Sequence, residues 1–381
     1  MRELGFSVSR VPVAALRDPD SAAYLPRLLE AKLGLLLSVN LQGLLPGGPV
    51  SKMLAQAAAR DDLTVLVWFV DNPWHVLSGM RDPSWKSFTL AVTDQTFVEP
   101  LRLAGAQRVL HLPLAASPQL AAKISGQGSG HDDGHGQTNT FLGVPLREVV
   151  FAGRTAFPGK EVFFEGLTLP SDLLAEAEQL SLEGSRPDFS WWVNKLKLEP
   201  VDFWPGKKAR LPGFGAAQSN TIWREQRLKA VVDQHTKTGG LTLFGDSAWE
   251  RGAQVQNGLR NSAPGLDLRE PFDYYASAHS LYAQAAFSLN LNSLLLGAGL
   301  TQRIFDIWLA RGFCLTDNSP GLNIFPEELT APVTFNTPEE LVELIARFKG
   351  NPRKKQELTR AWQEHILREH SYTVRLGKLL C

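Results

Sequence analysis

Apolar runs without polar alternation recur along this chain, each closing on a small polar residue or a glycine, with amphipathic stretches between them. In the first third, LGLLLSVN, LTVLVWFV, FTLAVTD and VLHLPLA read as strands, three of them running into Asn40, Asp71 and Asp94. Helices are predicted over Pro26–Lys32, Val50–Arg60 and Phe97–Leu103, the last capped at Gly105. The opening MRELGFSVSRVPV reads as a helix tail, a cap at Gly5 and a strand over Phe6–Val11. Strands that are apolar on both faces and separated by helices predict parallel sheets covered on both sides.

The same grammar restarts after a Gly- and polar-rich stretch, Ser125–Thr140, which reads as a flexible linker. REVVFAGR, LTLFGD, Leu266–Leu268, Ser288–Leu291, Phe313–Leu315 and Val333–Phe335 are the expected strands. Expected helices cover Leu173–Leu182, Asn220–His235, Tyr274–Ala285 and Gln302–Arg311, with Thr301 as N-cap and Gly312 as C-cap. Thr337–Pro338–Glu339–Glu340 is a strong helix start, and Arg353–Leu380 reads as one long terminal helix. Residues 184–217, rich in Trp, Pro and Gly, read as an irregular excursion with helical pieces.

The fold class implied is α/β, two Rossmann-like domains with parallel sheets facing a cleft. Residues 1–124 form the first domain, 125–146 a linker and 147–352 the second domain. Residues 353–381 form a helix crossing back to the first, with Leu358, Trp362, Ile366 and Leu367 at helical spacing.

Composition narrows the setting. The 381 residues suit two domains; 44% are apolar and 20% charged, as in ordinary globular proteins. Thirty-nine basic residues balance 39 acidic ones, which argues against nucleic acid as a partner. Two cysteines, Cys314 and Cys381, exclude a disulfide framework and fit a reducing compartment. With no apolar run of transmembrane length and no signal-peptide layout at the N-terminus, the expectation is a cytoplasmic protein. His131, Asp132, Asp133 and His135 lie in the linker, where no rigid surroundings would organise them as a metal site.

Candidate chemistry gathers at strand ends, because ligands of such sheets bind outside the carboxyl ends of strands. On the first domain these are Asp71, His75 and Asp94, candidates for deprotonating a hydroxyl. On the second they are Gly153, Arg154, Lys160, Gly245, Asp246, Trp249, Asn292 and Asp317. Arg303 and Asp306 stand in the first turns of the Gln302 helix, whose N-terminus favours phosphate. A cation beside phosphate and a carboxylate near a ribose diol suit a nucleotide-sugar pocket; an ordinary surface ion pair is the plainer reading. No G-x-G-x-x-G follows a strand, so a dehydrogenase is disfavoured.

FAGR, LTLFGDSAW, the LNLN strand, TQRIFDIWLARGFCLTDN, TPEELVELIARFKGNPRKK and EHSYTVR, in that order, resemble the CgeB-like (spore-maturation-type) glycosyltransferases. SVNLQGL, VWFVDNPW, VTD and GAQRVLHLPLA resemble the domain that precedes their catalytic half. The resemblance implies a GT-B fold and a hexosyltransferase-type enzyme. It would move sugar from a nucleotide diphosphate donor to a polysaccharide, glycolipid or protein acceptor. It also implies Asp306 on the donor ribose, Arg303, Arg154 and Lys160 toward the diphosphate, and Trp249 with Leu268–Arg269–Glu270 near the base. No cofactor or metal is expected, since cationic side chains and a helix terminus balance the leaving charge. Two departures stand out: Ala298 where related retaining enzymes carry a second acid, and Asp306 in place of the usual Glu. A non-catalytic sugar- or nucleotide-binding descendant is the alternative. Since no Gly-rich first strand precedes Arg2, a start placed too late or a gapped first sheet is also expected.

Overall fold

The computed structural model describes residues 5, 7–10, 34–44, 49–60, 63–117, 119, 139–198, 203, 206–251, 259 and 263–380. The first domain contains β1 (Leu35–Val39), α1 (Pro49–Ala59), β2 (Thr64–Phe69), α2 (Pro73–Leu77), β3 (Thr89–Val92), α3 (Val98–Leu103) and β4 (Arg108–His111). Its strands pair in parallel in the order β1-β2-β3-β4, with no gap among them. Ser7–Arg10 carries no strand, so the expected Phe6–Val11 strand fails over its described part. Phe6, Val11, the Pro26–Lys32 helix and the four linker His and Asp residues lie outside the described residues.

The second domain opens with a hairpin, β5 (Thr140–Phe141) and β6 (Val144–Pro145), then β7 (Val149–Ala152) and α4 (Lys160–Phe163). Next come α5 (Ser171–Leu182), α6 (Phe189–Lys195), α7 (Gly206–Asp233), α8 (His235–Thr238), β8 (Leu241–Phe244), α9 (Ala248–Arg251) and β9 (Leu266–Arg269). The chain continues through α10 (Tyr274–Gln284), β10 (Phe287–Asn290), α11 (Gln302–Leu309), β11 (Cys314–Asp317), α12 (Glu327–Thr330), β12 (Thr334–Phe335) and α13 (Pro338–Lys349). It ends in α14 (Pro352–Glu369) and α15 (Tyr372–Leu380). The six parallel strands run β12-β11-β10-β7-β8-β9, which is the doubly wound dinucleotide-binding order. Every residue of β7, β8, β10 and β11 is buried, as strands covered on both faces require. The winding reverses between β7 and β10, where a crevice must open.

Four features differ from the sequence-based expectation. Residues 139–146 form the hairpin instead of a linker, because Phe141 is held between Phe244 and Phe272. The excursion is mostly ordered helix: α7 runs 28 residues, through Pro212, and begins well before Asn220. Its first half, with α5 and α6, joins the first domain's core through Ala177, Phe189, Trp192, Ala209 and Ala216. Its second half joins the other core through Leu228, Val231 and Val232, so one helix of about 42 Å serves both domains. The terminal helix breaks at His370–Ser371, where Ser371 pairs with Ala116 beside β4. Helix α14 lies on the second domain through Leu358, Trp362 and Ile366, leaving Leu367 exposed, whereas α15 sets Tyr372 edge-on to Trp68 of the first. After α11 the left-handed residue is Arg311, not Gly312. Gly312 is required for space, since a Cβ there would stand 2.7 Å from the Tyr282 carbonyl oxygen.

Trp362 is fully buried, stacks on Trp308 at 5.1 Å and donates through Nε1 to the Leu329 carbonyl. Trp362→Ala is expected to cost about 3–5 kcal/mol in a urea titration, from the cavity and the orphaned carbonyl together.

Candidate active site

Arg303 decides the geometry of the crevice. Its Nε and Nη2 donate to the Ala152 carbonyl at the end of β7 (3.1 and 2.7 Å), and its Nη1 to Leu291 just past β10 (3.4 Å). One guanidinium therefore spans the two strands between which the sheet reverses. Phe151 lies under it at 4.8 Å, and Gly153 leaves room for it, a Cβ there falling 3.0 Å from Nη2. Beside it a cavity of about 280 Å³ is lined by Gly153, Arg154, Thr155, Asn220, Arg224 and Arg303, among others. Arg224 was not singled out from sequence because it sits mid-helix, in a stretch with no strand-end signal. Its Nη1 donates to the Arg154 carbonyl at 2.9 Å while its Nε has no partner. Burial, and then the neighbouring Arg303, push its pKa down to about 10, still fully cationic at neutral pH.

A larger cavity, about 840 Å³, lies between the domains and shares Phe157, Ser293 and Leu295 with the first. Asp71 and His75 line it from the first domain; Tyr274, Thr301, Gln302 and Asp306 line it from the second. Thr301 occupies the N-cap position of α11, yet its hydroxyl donates to Asn290 Oδ1 (2.8 Å), so no side chain caps the helix. Asp306 forms no ion pair with Arg303. Gln302 Nε2 donates to its Oδ1 and the Tyr274 hydroxyl to its Oδ2, both at 2.9 Å. Burial raises its pKa to about 6, against the opposing pull of those two donors and of Arg303. With the folded-state pKa above the ordinary carboxylate value, this group favours the fold below that value. The contribution is lost as pH rises through about 6.

Of the first-domain candidates, Asp71 faces the larger cavity with Asn40 Nδ2 donating to it at 2.7 Å, and burial raises its pKa. His75 sits against Phe157, Phe163 and Phe164. Burial, then Arg210, lower its pKa to about 3, so it is neutral and weakly basic. Asp94 is committed to structure. Its Oδ1 accepts from Thr96 N and Oγ1 (2.9 and 2.7 Å), and its Oδ2 from Ala298 N across the cleft (3.0 Å). Asn72, unremarked in the sequence, makes a parallel tie: its Nδ2 donates to the Leu295 carbonyl at 2.8 Å. The β10–α11 loop is thereby fastened to the first domain.

Several second-domain candidates also prove structural. Asp317 accepts from Arg186, Trp223 and twice from Asn292, which buries both residues in one network. Asp246 accepts from Thr155, and Gly245 admits the buried Trp249, whose Nε1 donates to the Gly153 carbonyl. Lys160 turns to Gln218 at 3.2 Å, and Arg269 pairs with Asp267; neither lines the two cavities. Among the described residues no group of three or more His, Cys, Asp or Glu is arranged to hold a metal ion. No helix among them is long and apolar enough to cross a membrane.

Two Rossmann-like domains closed on such a cleft have the GT-B architecture. Residues 224–381 match the glycosyl transferase-like family. Among solved structures, a UDP-forming alpha,alpha-trehalose-phosphate synthase from Burkholderia xenovorans is similar over 98% of this chain and 79% of its own. That pair is 12% identical with a TM-score of 0.51, a likeness of fold. A sucrose-phosphate synthase from Thermosynechococcus elongatus covers 98% and 80% at 12% identity, with a TM-score of 0.46. No curated protein gives a significant match.

Asp94→Asn keeps an oxygen for Thr96 but turns an amide toward Ala298 N. It is expected to lower stability by about 1–3 kcal/mol, read by chemical denaturation, with domain opening visible in small-angle scattering. A variant as stable and as closed as the parent would show that the tie is incidental.

Proposed function

We propose that the chain transfers a sugar from a nucleoside diphosphate donor to an acceptor hydroxyl, without a metal ion. One observation carries this: a pocket with three arginines at the switch point opens beside a carboxylate-lined cavity between the domains. The diphosphate belongs in the smaller cavity with Arg154, Arg224 and Arg303. Departure of the nucleotide deposits negative charge there, and fixed cations in a sheltered site lower that cost without reorganising. Asp306, one turn into α11, suits the ribose hydroxyls. The base-contact role passes from the buried Trp249 to Tyr274 and the 83% exposed Tyr275 at the cavity wall. Asp71 is the group best suited to take the acceptor proton: it faces the cavity and its pKa is raised, whereas Asp94 is fully engaged and His75 is a poor base. The acceptor class, a glycan, glycolipid or protein hydroxyl, and the CgeB-like assignment rest on the motif order alone.

Donor binding is tested by calorimetry with a panel of nucleotide sugars. Arg303→Met and Asp306→Ala should each weaken binding at least tenfold, and chelator should leave turnover unchanged. Ribose-donor binding indifferent to Asp306→Ala would refute the assignment. Because the ionised Asp306 accepts from a ribose diol more strongly than the protonated form, affinity should fall as pH drops below about 6, and Asp306→Asn should abolish that dependence. Asp71→Asn should lower kcat by about 10²–10⁴ with donor affinity retained. Donor binding with no turnover on any acceptor would favour the non-catalytic alternative.

A further inference from the structure

Gln302 joins the carboxylate of the cleft to a place where the chain crosses between domains. Two segments meet at this place, 112–117 after β4 and 370–372 between α14 and α15, and they are tied together. Ala116 N donates to the His370 carbonyl (2.8 Å) and Tyr372 N to the Ala116 carbonyl (2.9 Å). Gln302 touches both segments. Its Nε2 donates to the Ala115 carbonyl at 3.0 Å, and its Oε1 accepts from the Tyr372 hydroxyl at 2.7 Å. The second Nε2 hydrogen goes to Asp306 Oδ1 at 2.9 Å. The amide has only one workable orientation, because two of its partners are acceptors and the third donates. Asp306 Oδ2 is held from the other side by Tyr274, whose hydroxyl in turn meets that of Tyr282 at 3.4 Å.

We infer that Gln302 is a positioning residue that aims Asp306 at the donor ribose and makes this aim depend on the closed arrangement of the crossing segments. The inference rests on the donor reading above. A carboxylate gripped at both oxygens loses its rotational freedom before the ligand arrives, so the ribose is met by a prearranged acceptor. Opening the cleft would pull Ala115 or Tyr372 away from Gln302, and the amide would no longer have a fixed orientation. Glutamate at this position would turn an acceptor toward both Asp306 and the Ala115 carbonyl, so the amide is required and shape alone is insufficient.

The test separates positioning from mere folding by using three probes on the full chain: UDP and GDP, their 2′-deoxyribose counterparts, and inorganic pyrophosphate. Wild type should prefer one ribose diphosphate over its deoxy form by about tenfold, the size of a hydrogen bond to a charged group. Gln302→Met, which keeps the shape, should bring that ratio to about threefold or less while pyrophosphate binding stays unchanged and the chain stays folded at the assay temperature, with a modest drop in melting temperature from the lost hydrogen bonds. Gln302→Glu should be worse than Gln302→Met. Tyr372→Phe, which removes only the hydroxyl at the crossing, should shift the ratio in the same direction by a smaller factor. A Gln302→Met protein that keeps the full ribose preference, or loses pyrophosphate equally, overturns the inference. Tyr372→Phe indistinguishable from wild type overturns the link to the crossing. Wild type that binds no diphosphate, or does not distinguish the sugars, overturns the donor reading and the inference with it.

Discussion

A doubly wound sheet has one place where neighbouring strands part company, and here a single guanidinium closes it. Arg303 donates to the carbonyls at the end of β7 and just past β10, which would otherwise face the crevice. Those carbonyls hold its charge in place and Phe151 backs it. Everything around the cleft follows from that seat. Gly153 must be small, α11 must start one residue before the arginine, and the loop entering α11 must reach over to the first domain. The cation is thereby fixed without any carboxylate partner that would cancel it.

The polar residues at the strand ends of the first domain take on a different task from the one their positions suggest. Asp94 caps a short helical turn and, with Asn72, holds the β10–α11 loop across the cleft. A backbone N–H and a carbonyl at a domain interface both need partners, and these two side chains supply one of each kind. Closure is therefore specified by backbone groups of the loop together with Leu296, which packs into the first domain's core. Ala298 makes its cross-domain contact through its main chain.

The buried parallel strands, most of their polar ends and the α11 unit were legible because buried parallel strands and capped helices have strong one-dimensional signatures. The segment 184–217 was not. Gly206, Gly213 and Gly215 read as breakers, yet in α7 they mark close approach: a Cβ would fall 2.2 Å from the Ser78 oxygen, 2.0 Å from His75 Nε2 and 2.2 Å from the Trp192 ring. Glycines chosen for contact and glycines chosen for turning look identical in sequence. A helix buried on nearly all sides also lacks the polar stripe that would reveal its period. Arg224 was hidden for another reason: it sits mid-helix, away from the strand ends where candidates were sought. Asp246, Trp249 and Asp317 show the converse: residues at strand ends also serve to satisfy the strand ends themselves.

What remains is a cleft divided by charge. Arg154, Arg224 and Arg303 occupy the smaller cavity, and Asp71 and Asp306 the larger. The two spaces touch at Phe157, Ser293 and Leu295, so a ligand crossing that boundary would place its anionic part among the arginines and its hydroxyls among the carboxylates. Burial raises the pKa values of Asp71 and Asp306, while the arginines, even with Arg224 lowered, remain charged at neutral pH. The anion-binding side is thus permanently prepared. The carboxylate side responds to proton and to domain position, and it is there that selectivity for the remainder of the ligand has to arise.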